Sequence, residues 1–209
     1  MKFLKPYKVQ HSTKLFQNKY KYKIVFTSGV AGWFRGSSAE QILAHHDNDD
    51  YYYARKASPS DKTHAKKLAE ILKNLEDWGV RVETPFVSLY LNNDKDLETV
   101  VKHCKNRVKY VEIPDPDNEN KLAKGTILVK NLDFGFKVSL GSSVQCHLNF
   151  VQWCENNPKI RMPKRAKRDL SRNSNPGGGF FYVKDEKVLT MVKMFLGRTI
   201  TKVETVVQG

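Results

Sequence analysis

Residues 180–207, FFYVKDEKVLTMVKMFLGRTITKVETVV, carry the pattern that decides the fold class. The aromatic and β-branched run 180–183 predicts a strand. Asp185 then stands where a helix N-cap belongs, and apolar residues recur at helical spacing until Gly197, a typical helix-ending glycine. Residues 199–207 return to a strand pattern. The stretch therefore predicts strand, helix and strand.

The segments before this stretch complete an α+β unit. Their apolar patterns predict strands at 126–132 and 134–140, a helix at 143–155 and a short strand at 160–162. Strands interleaved with helices in this way are typical of the ferredoxin-like βαββαβ arrangement. We therefore predict an α+β fold built from ferredoxin-like units.

The first half of the chain contains a weak echo of the second. YKYKIVFTSG at 20–29 parallels FGFKVSLGSS at 134–143, and Val82-Glu83-Thr84 parallels Val203-Glu204-Thr205. Either the chain has two related halves or amphipathic units resemble each other by chance. The acidic loop 114–121 is the best boundary, so the predicted domains are 1–118 and 119–209.

Composition excludes several classes of protein. Of the 209 residues, 40% are apolar and 28% are charged, which is typical of a globular chain. The sequence has neither an apolar run long enough to span a membrane nor a secretion signal at its start. Its three cysteines, an odd number, predict reduced thiols. We expect an intracellular protein without a bound metal or cofactor.

The formal net charge of +14 is unevenly distributed. Residues 1–39 carry eight cations and no acid, residues 40–120 have a net charge of −4, and residues 121–209 have a net charge of +10. The densest run is KIRMPKRAKRDLSR at 159–172, in which seven of fourteen residues are cations. Such clustering favours a polyanionic partner, although a localisation signal would have a similar composition. We expect this run to form a loop or a short helix.

Two short segments of the second half resemble signatures of the RNA-recognition motif, and the resemblance covers residues 126–207. Ile127–Leu132, ILVKNL, is similar to the first-strand signature of that family, although Leu128 replaces its usual stacking aromatic. Gly179–Val183, GFFYV, is similar to the third-strand signature. The resemblance implies that single-stranded nucleic acid stacks its bases on Phe180 and Tyr182.

The favoured interpretation is a nucleic-acid-binding protein without catalytic activity, which prefers RNA or single-stranded DNA because aromatics accompany the cations. The predicted contact residues are the basic run, the aromatic strand and the lysine-rich strand at 19–28. They are Lys159, Arg161, Lys164, Arg165, Lys167, Arg168, Arg172, Phe180, Tyr182, Lys184, Lys19, Lys21, Lys23, Tyr20, Tyr22 and Arg35.

Two alternatives remain open at this stage. Asp185, Glu186 and Lys187 have the residue types of a metal-dependent nuclease that would use the same basic groove. A structural or assembly protein could instead lay its basic ends on packaged nucleic acid or on an acidic protein partner. The first alternative requires metal-dependent cleavage and the second a nucleoprotein assembly.

Overall fold

The computed structural model describes residues 1–48, 57–141, 147–172 and 179–209, so residues 142–146 of the predicted helix and of the echo lie outside the described part. The chain divides into two compact units, Met1–Glu119 and Asn120–Gly209. Each unit contains one five-stranded sheet with helices on one face. We call the other face of each sheet its open face.

In the described part of the first unit there are five strands and three α-helices. These are β1 (Val9–Ser12), β2 (Tyr22–Thr27), α1 (Ala39–Asp47), α2 (Pro59–Lys73), β3 (Trp78–Glu83), β4 (Phe86–Leu91), α3 (Asp94–Cys104) and β5 (Val108–Pro114). The strand order is β1-β5-β2-β4-β3. All neighbouring strands are antiparallel except β1, which pairs in parallel with β5.

The second unit repeats this plan. Its elements are β6 (Thr126–Val129), β7 (Phe136–Leu140), α4 (Leu148–Glu155), β8 (Ile160–Arg161), α5 (Lys164–Leu170), β9 (Phe180–Val183), α6 (Glu186–Leu196) and β10 (Ile200–Gln208). The order is β6-β10-β7-β9-β8, and β6 pairs in parallel with β10. In both sheets the last strand of the unit lies beside its first antiparallel strand. The predicted α+β class with ferredoxin-like halves is confirmed.

Capping side chains and a glycine determine where several of the helices begin or end. Ser58 and Asp61 form a capping box at the start of α2. The Asp185 carboxylate accepts a hydrogen bond of 2.9 Å from the backbone N–H of Val188, which fixes the first turn of α6. Gly197 ends α6 with φ +46°, a conformation that favours glycine. No helix of the described part is both long and apolar enough to cross a membrane.

The echo between the halves is correct for one pair of segments and wrong for the other. Lys23 of β2 and Lys137 of β7 occupy the same place in the two sheets, at the predicted offset of 114. Glu83, however, lies on the edge strand β3, whereas Glu204 lies on β10 beside the first antiparallel strand. The counterpart of Glu204 is therefore Glu112 on β5. Local similarity misled here because helix–strand units recur at several places in this topology.

The basic run forms the predicted short strand and then a short helix, which is one of the two forms predicted for it. Its first residues form β8 and the following ones form α5, whose Ala166 and Leu170 are buried in the core of the second unit. These two apolar residues are four positions apart, so they lie on one face of a helix and pack α5 against the core. The charged side chains are left on the opposite side.

A half-buried histidine of the first unit lies where its protonation is disfavoured. His64 on α2 stacks on His103 at a centroid distance of 4.5 Å, and neither of its ring nitrogens has a hydrogen-bond partner among the described residues. Burial, together with the neighbouring His103 and Arg107, lowers the pKa of His64 to about 4, while Asp61 opposes this shift. The folded state therefore keeps His64 neutral, whereas the unfolded chain protonates it near pH 6.5.

We expect the free energy of unfolding to fall as the pH drops from 6.5 to 4, because only the unfolded state gains this proton in that window. Since the ring is partly exposed, the contribution is about 1–2 kcal/mol. Urea unfolding at pH 7, 5 and 4 measures it, and His64→Gln should flatten the dependence while His11→Gln, at an exposed position, should not. An unchanged slope in His64→Gln would contradict the assignment.

Candidate nucleic-acid interface

A row of three polar side chains crosses the open face of the second sheet. Glu204 on β10 lies opposite Lys137 on β7, and Lys137 lies opposite Tyr182 on β9. Glu204 is only 1% exposed, and its Oε1 lies 2.7 Å from Nζ of Lys202. The buried carboxylate of Glu204 thus stabilises the ammonium group of Lys202 near the middle of this face.

Aromatic rings lie next to this row. Phe180 and Tyr182 are half-buried on the open face, whereas Phe181 between them is fully buried in the core, as the alternation of a strand predicts. The rings of Phe180 and Tyr182 are 5.6 Å apart edge to face, and Phe134 lies 6.4 Å from Tyr182. Nζ of Lys137 lies 4.4 Å from the centre of the Phe180 ring. The face therefore presents π surfaces beside a cation.

A groove of about 550 Å³ opens beside these rings. One wall is formed by residues 129–132, the other by residues 161–163, and Phe180 and Tyr182 lie between the two walls. Lys130 and Arg161 are exposed at the walls, and neither forms an ion pair with another residue that the structure describes. The groove thus combines aromatic surface with cations that are available to an anionic ligand.

The cations of α5 are exposed but partly neutralised within the unit. Lys167 forms an ion pair with Glu155, and Asp169 lies 3.7 Å from Arg165 and 3.4 Å from Arg168. Lys164, at the start of α5, forms no ion pair within the described part of the chain. Of the other predicted cations in the run, Arg172 is exposed after α5 and Lys159 pairs with Asp185. The helix therefore adds a basic surface next to Pro163 of the groove.

The residues of the nuclease alternative have other roles in the structure. Asp185 caps α6 and lies 2.9 Å from Nζ of Lys159, and these hydrogen bonds lower the pKa of its carboxyl group. Glu186 and Lys187 are exposed in the first turn of α6. Within residues 1–48, 57–141, 147–172 and 179–209, no three His, Cys, Asp or Glu side chains converge to hold a metal ion. Lys184, the last predicted cation here, pairs with Asp133 at 2.8 Å.

The predicted contacts of the first unit are not brought together as an interface. Tyr22 is buried in the core beneath the helices, so its prediction as a stacking residue is wrong. Every second residue of β2 faces inward, and Tyr22 shares that face with Ile24 and Phe26. Arg35 is exposed after the 3₁₀ turn Ala31–Phe34, beyond the end of β2.

Three lysines of this segment have acidic partners. Nζ of Lys19 lies 2.5 Å from Asp77, Nζ of Lys21 lies 2.9 Å from Glu119, and Nζ of Lys23 lies 2.9 Å from Glu112. Burial opposes the charge of Lys23, but hydrogen bonds with Glu112 and Tyr110 raise its pKa. These lysines are thus held by carboxylates within the first unit.

The polar row of the second sheet has a counterpart in the first. Lys23 on β2 lies between Glu112 on β5 and Tyr90 on β4. The first sheet therefore repeats the order Glu, Lys and Tyr across the same three strands. This equivalence aligns the two open faces residue by residue, with Tyr90 corresponding to Tyr182.

The open face of the first sheet is covered by side chains of its own unit. Phe16 and Tyr20 come from the segment between β1 and β2, and their rings lie 5.7 and 6.0 Å from that of Tyr90. Tyr20 can approach because Gly79 has no side chain: a Cβ there would lie 2.8 Å from the Tyr20 ring. Gly79 itself lies within β3. The groove on this face has only about 260 Å³.

The two segments that resemble the RNA-recognition motif lie on strands that are not neighbours. Ile127 and Leu128 belong to β6, which β10 and β7 separate from β9. The prediction that the strand at 126–132 opens the βαββαβ order is wrong, because the order begins at β7 and β6 is an added parallel strand. The family resemblance itself stays a prediction.

Comparisons of the chain with protein-family models, curated proteins and solved structures give no match. The class of protein is therefore defined by the fold alone, as a tandem pair of ferredoxin-like α+β units. Sequence reasoning missed Lys130, Phe134 and Lys137 as candidate contacts. The echo at offset 114 contained a signal for Phe134, since it pairs this residue with Tyr20.

Proposed function

We propose that the protein binds RNA or single-stranded DNA on the open face of its second sheet, without catalysing a reaction. The observation that carries the proposal is the arrangement of Phe180 and Tyr182 between Arg161 and Lys137, on the sheet face opposite the described helices of the second unit. Aromatic rings stack on exposed bases, and the adjacent cations attract phosphates. Cations from α5 extend the positive surface.

Single strands are preferred over duplex in this proposal. In a duplex the bases are stacked on each other and their faces are inaccessible to the protein, whereas unpaired bases can lie on an aromatic side chain. The charge distribution supports the choice of unit, because residues 121–209 carry a net charge of +10. In the first unit the equivalent Tyr90 is already covered and the neighbouring lysines are paired.

Fluorescence anisotropy titrations with single-stranded RNA, single-stranded DNA and duplex of equal length test the proposal. We expect both single strands to bind more tightly than duplex. Equal affinity for single strands and duplex would mean that only the positive charge of the surface contributes to binding. An assembly protein on packaged nucleic acid would behave in this way. Cleavage of the oligonucleotide that depends on a divalent ion would contradict the non-catalytic assignment.

A variant in which four cations of α5 are neutralised measures how much this helix contributes to binding. Replacing Lys164, Arg165, Lys167 and Arg168 together by Gln should weaken binding to all sequences alike. If all four contact phosphates, the slope of log affinity against log salt should become about 2–3 units less steep. Folding should be retained, because these side chains are exposed.

The matched control removes four exposed lysines from the helices of the first unit, Lys67, Lys73, Lys95 and Lys102. It has the same net charge as the α5 variant, so a general charge effect would weaken both alike. We expect the control to bind with the wild-type salt slope. An α5 variant that binds like this control would show that α5 does not contact the nucleic acid.

A further inference from the structure

The helices α3 and α6 hold equivalent places in the two units. Each follows the strand with the equivalent tyrosine, and Tyr182 comes 92 residues after Tyr90. The N-cap Asp185 of α6 comes 92 residues after the N-cap Asn93 of α3. At this offset three buried positions also correspond, which are Leu97, Val100 and Cys104 in α3 and Leu189, Val192 and Leu196 in α6. The two helices can therefore be compared position by position.

The outer face of α6, which points away from the sheet, is apolar where that of α3 is polar. Thr99 of α3 corresponds to Met191, which is 39% exposed. Lys102, whose Nζ lies 2.7 Å from the Glu98 carboxylate, corresponds to Met194, which is 81% exposed. Since α3 holds the same place with polar residues, the fold does not require methionines there.

An aromatic ring extends this apolar surface towards α4. Phe195 is 43% exposed, and its ring stacks on that of Trp153 at a centroid distance of 5.2 Å. Met191 precedes Phe195 by four positions and Met194 by three, so these side chains are neighbours on the helix surface. We call the four residues Met191, Met194, Phe195 and Trp153 the α6 patch. Exposed apolar surface of this kind is typical of a contact site.

The charges around the α6 patch are mostly positive. Lys187 lies one turn before the patch, Lys193 lies on α6 itself, and Arg198 follows the end of this helix. All three are exposed, and none forms an ion pair with another residue that the structure describes. The acid of α6 is Glu186 in the first turn, and the acid of α4, Glu155, already has a lysine partner. The patch therefore suits an acidic ligand with apolar side chains.

We infer that the α6 patch binds an acidic amphipathic helix of a partner protein. Residues spaced by three and four along α6 form the ridge on which a second helix packs. The partner's apolar side chains would cover the methionines and Phe195, and methionine adapts readily to such contacts. Its acids would face Lys187, Lys193 and Arg198. This inference does not depend on the binding of nucleic acid.

Charge and size favour this partner over three other occupants. A second copy of the chain would bring the same cations against each other, on a half with a net charge of +10. Single-stranded nucleic acid would pair with the cations but would leave the methionines exposed. Stable attachment to a membrane needs a larger apolar face or a lipid chain, whereas the patch covers little more than one turn of α6.

Methionine-methyl NMR of the full chain tests the inference, because Met191 and Met194 lie in the patch and Met162 lies at the groove of the second sheet. The probe is a synthetic peptide of about 15 residues, with Leu along one helical face and Glu elsewhere. We expect this peptide to shift the resonances of Met191 and Met194 but not that of Met162. A peptide with Lys in place of Glu, and one with Leu spread around the helix, should shift none of them.

The combined variant Met191→Thr and Met194→Lys gives α6 the residues of α3. It should bind the labelled acidic peptide about 5- to 30-fold more weakly in anisotropy titrations, as expected when central contacts are lost. Attraction by charge alone would instead make the added lysine tighten binding. Thr99→Lys adds the same charge on α3 and should leave the affinity unchanged. Both methionines are exposed, so the combined variant should keep the thermal unfolding transition of the wild type.

Every other result overturns the inference. Unchanged or tighter binding by the combined variant, or equal binding of the peptide with spread Leu, would leave only an attraction between charges. Shifts of Met191 and Met194 that appear with anionic phosphatidylserine vesicles, but with no peptide, would assign the patch to a membrane surface. Shifts that appear as the protein alone is concentrated would assign it to a second copy. If none of these probes shifts the two resonances, the patch is not a docking site.

Discussion

Raising the salt concentration from 50 to 200 mM should weaken binding of single-stranded RNA or DNA by about 10²–10³-fold. Each phosphate contact releases a condensed counterion, and on single strands it adds about 0.7 to the slope of log affinity against log salt. The second unit offers about six cations for such contacts around the groove and on α5: Lys130, Arg161, Lys164, Arg165, Lys167 and Arg168.

The measurement is the slope of log Kd against log salt, from anisotropy titrations at four or more concentrations. The lysines of the first unit that pair with Asp77, Glu119 and Glu112 are not expected to add to it, since they do not belong to the proposed interface on the second unit. A Kd that does not change with salt concentration would show that the uneven charge distribution of the chain is not used to bind a polyanion.

Much of the fold follows from local patterns in the sequence. The aromatic strand β9, the cap at Asp185 and the stop at Gly197 are all encoded within a few residues, and each lies where the pattern predicts. Pro85 separates β3 from β4, because a proline cannot donate a hydrogen bond within the interior of a strand.

The pairing of distant segments could not be predicted in the same way. The pattern of residues 126–132 indicates a strand, but it does not reveal that β6 pairs in parallel with β10 at the edge of the sheet. Parallel pairing joins residues far apart in the chain, and periodicity carries no information about the partner. The first-strand assignment failed for this reason.

Only those features of the site that depend on the alternation of side chains along a strand could be predicted from the sequence. The pattern places Phe180 and Tyr182 on one face of β9, and the structure agrees. The structure of the basic run was harder to predict, because its seven cations outnumber Ala166 and Leu170. These two buried residues attach α5 to the core. The acidic partners of Lys21 and Lys23 lie 98 and 89 residues away in the sequence, so no local pattern identifies these lysines as paired.

Phe181→Ala should lower the free energy of unfolding by about 3–5 kcal/mol, whereas Tyr182→Ala should have little effect on it. Phe181 is fully buried, and its ring lies 5.8 Å from that of Phe150, so truncation leaves a cavity between β9 and α4. Tyr182 lies on the open face, where its ring has solvent on one side. Urea unfolding of the two variants and of the wild-type chain measures the difference.

The binding effects of the same two substitutions should be reversed. Tyr182→Ala removes a stacking surface and should weaken single-strand binding by about 1–3 kcal/mol, while Phe181→Ala should bind normally under conditions in which it remains folded. Phe180→Ala is a second test of this face, because Phe180 lies beside Tyr182 and contacts Lys137. It should weaken binding in the same direction as Tyr182→Ala, since both rings face the groove. An equal loss of stability in Phe181→Ala and Tyr182→Ala would mean that both faces of β9 are core, and the stacking surface would then have to lie on another strand.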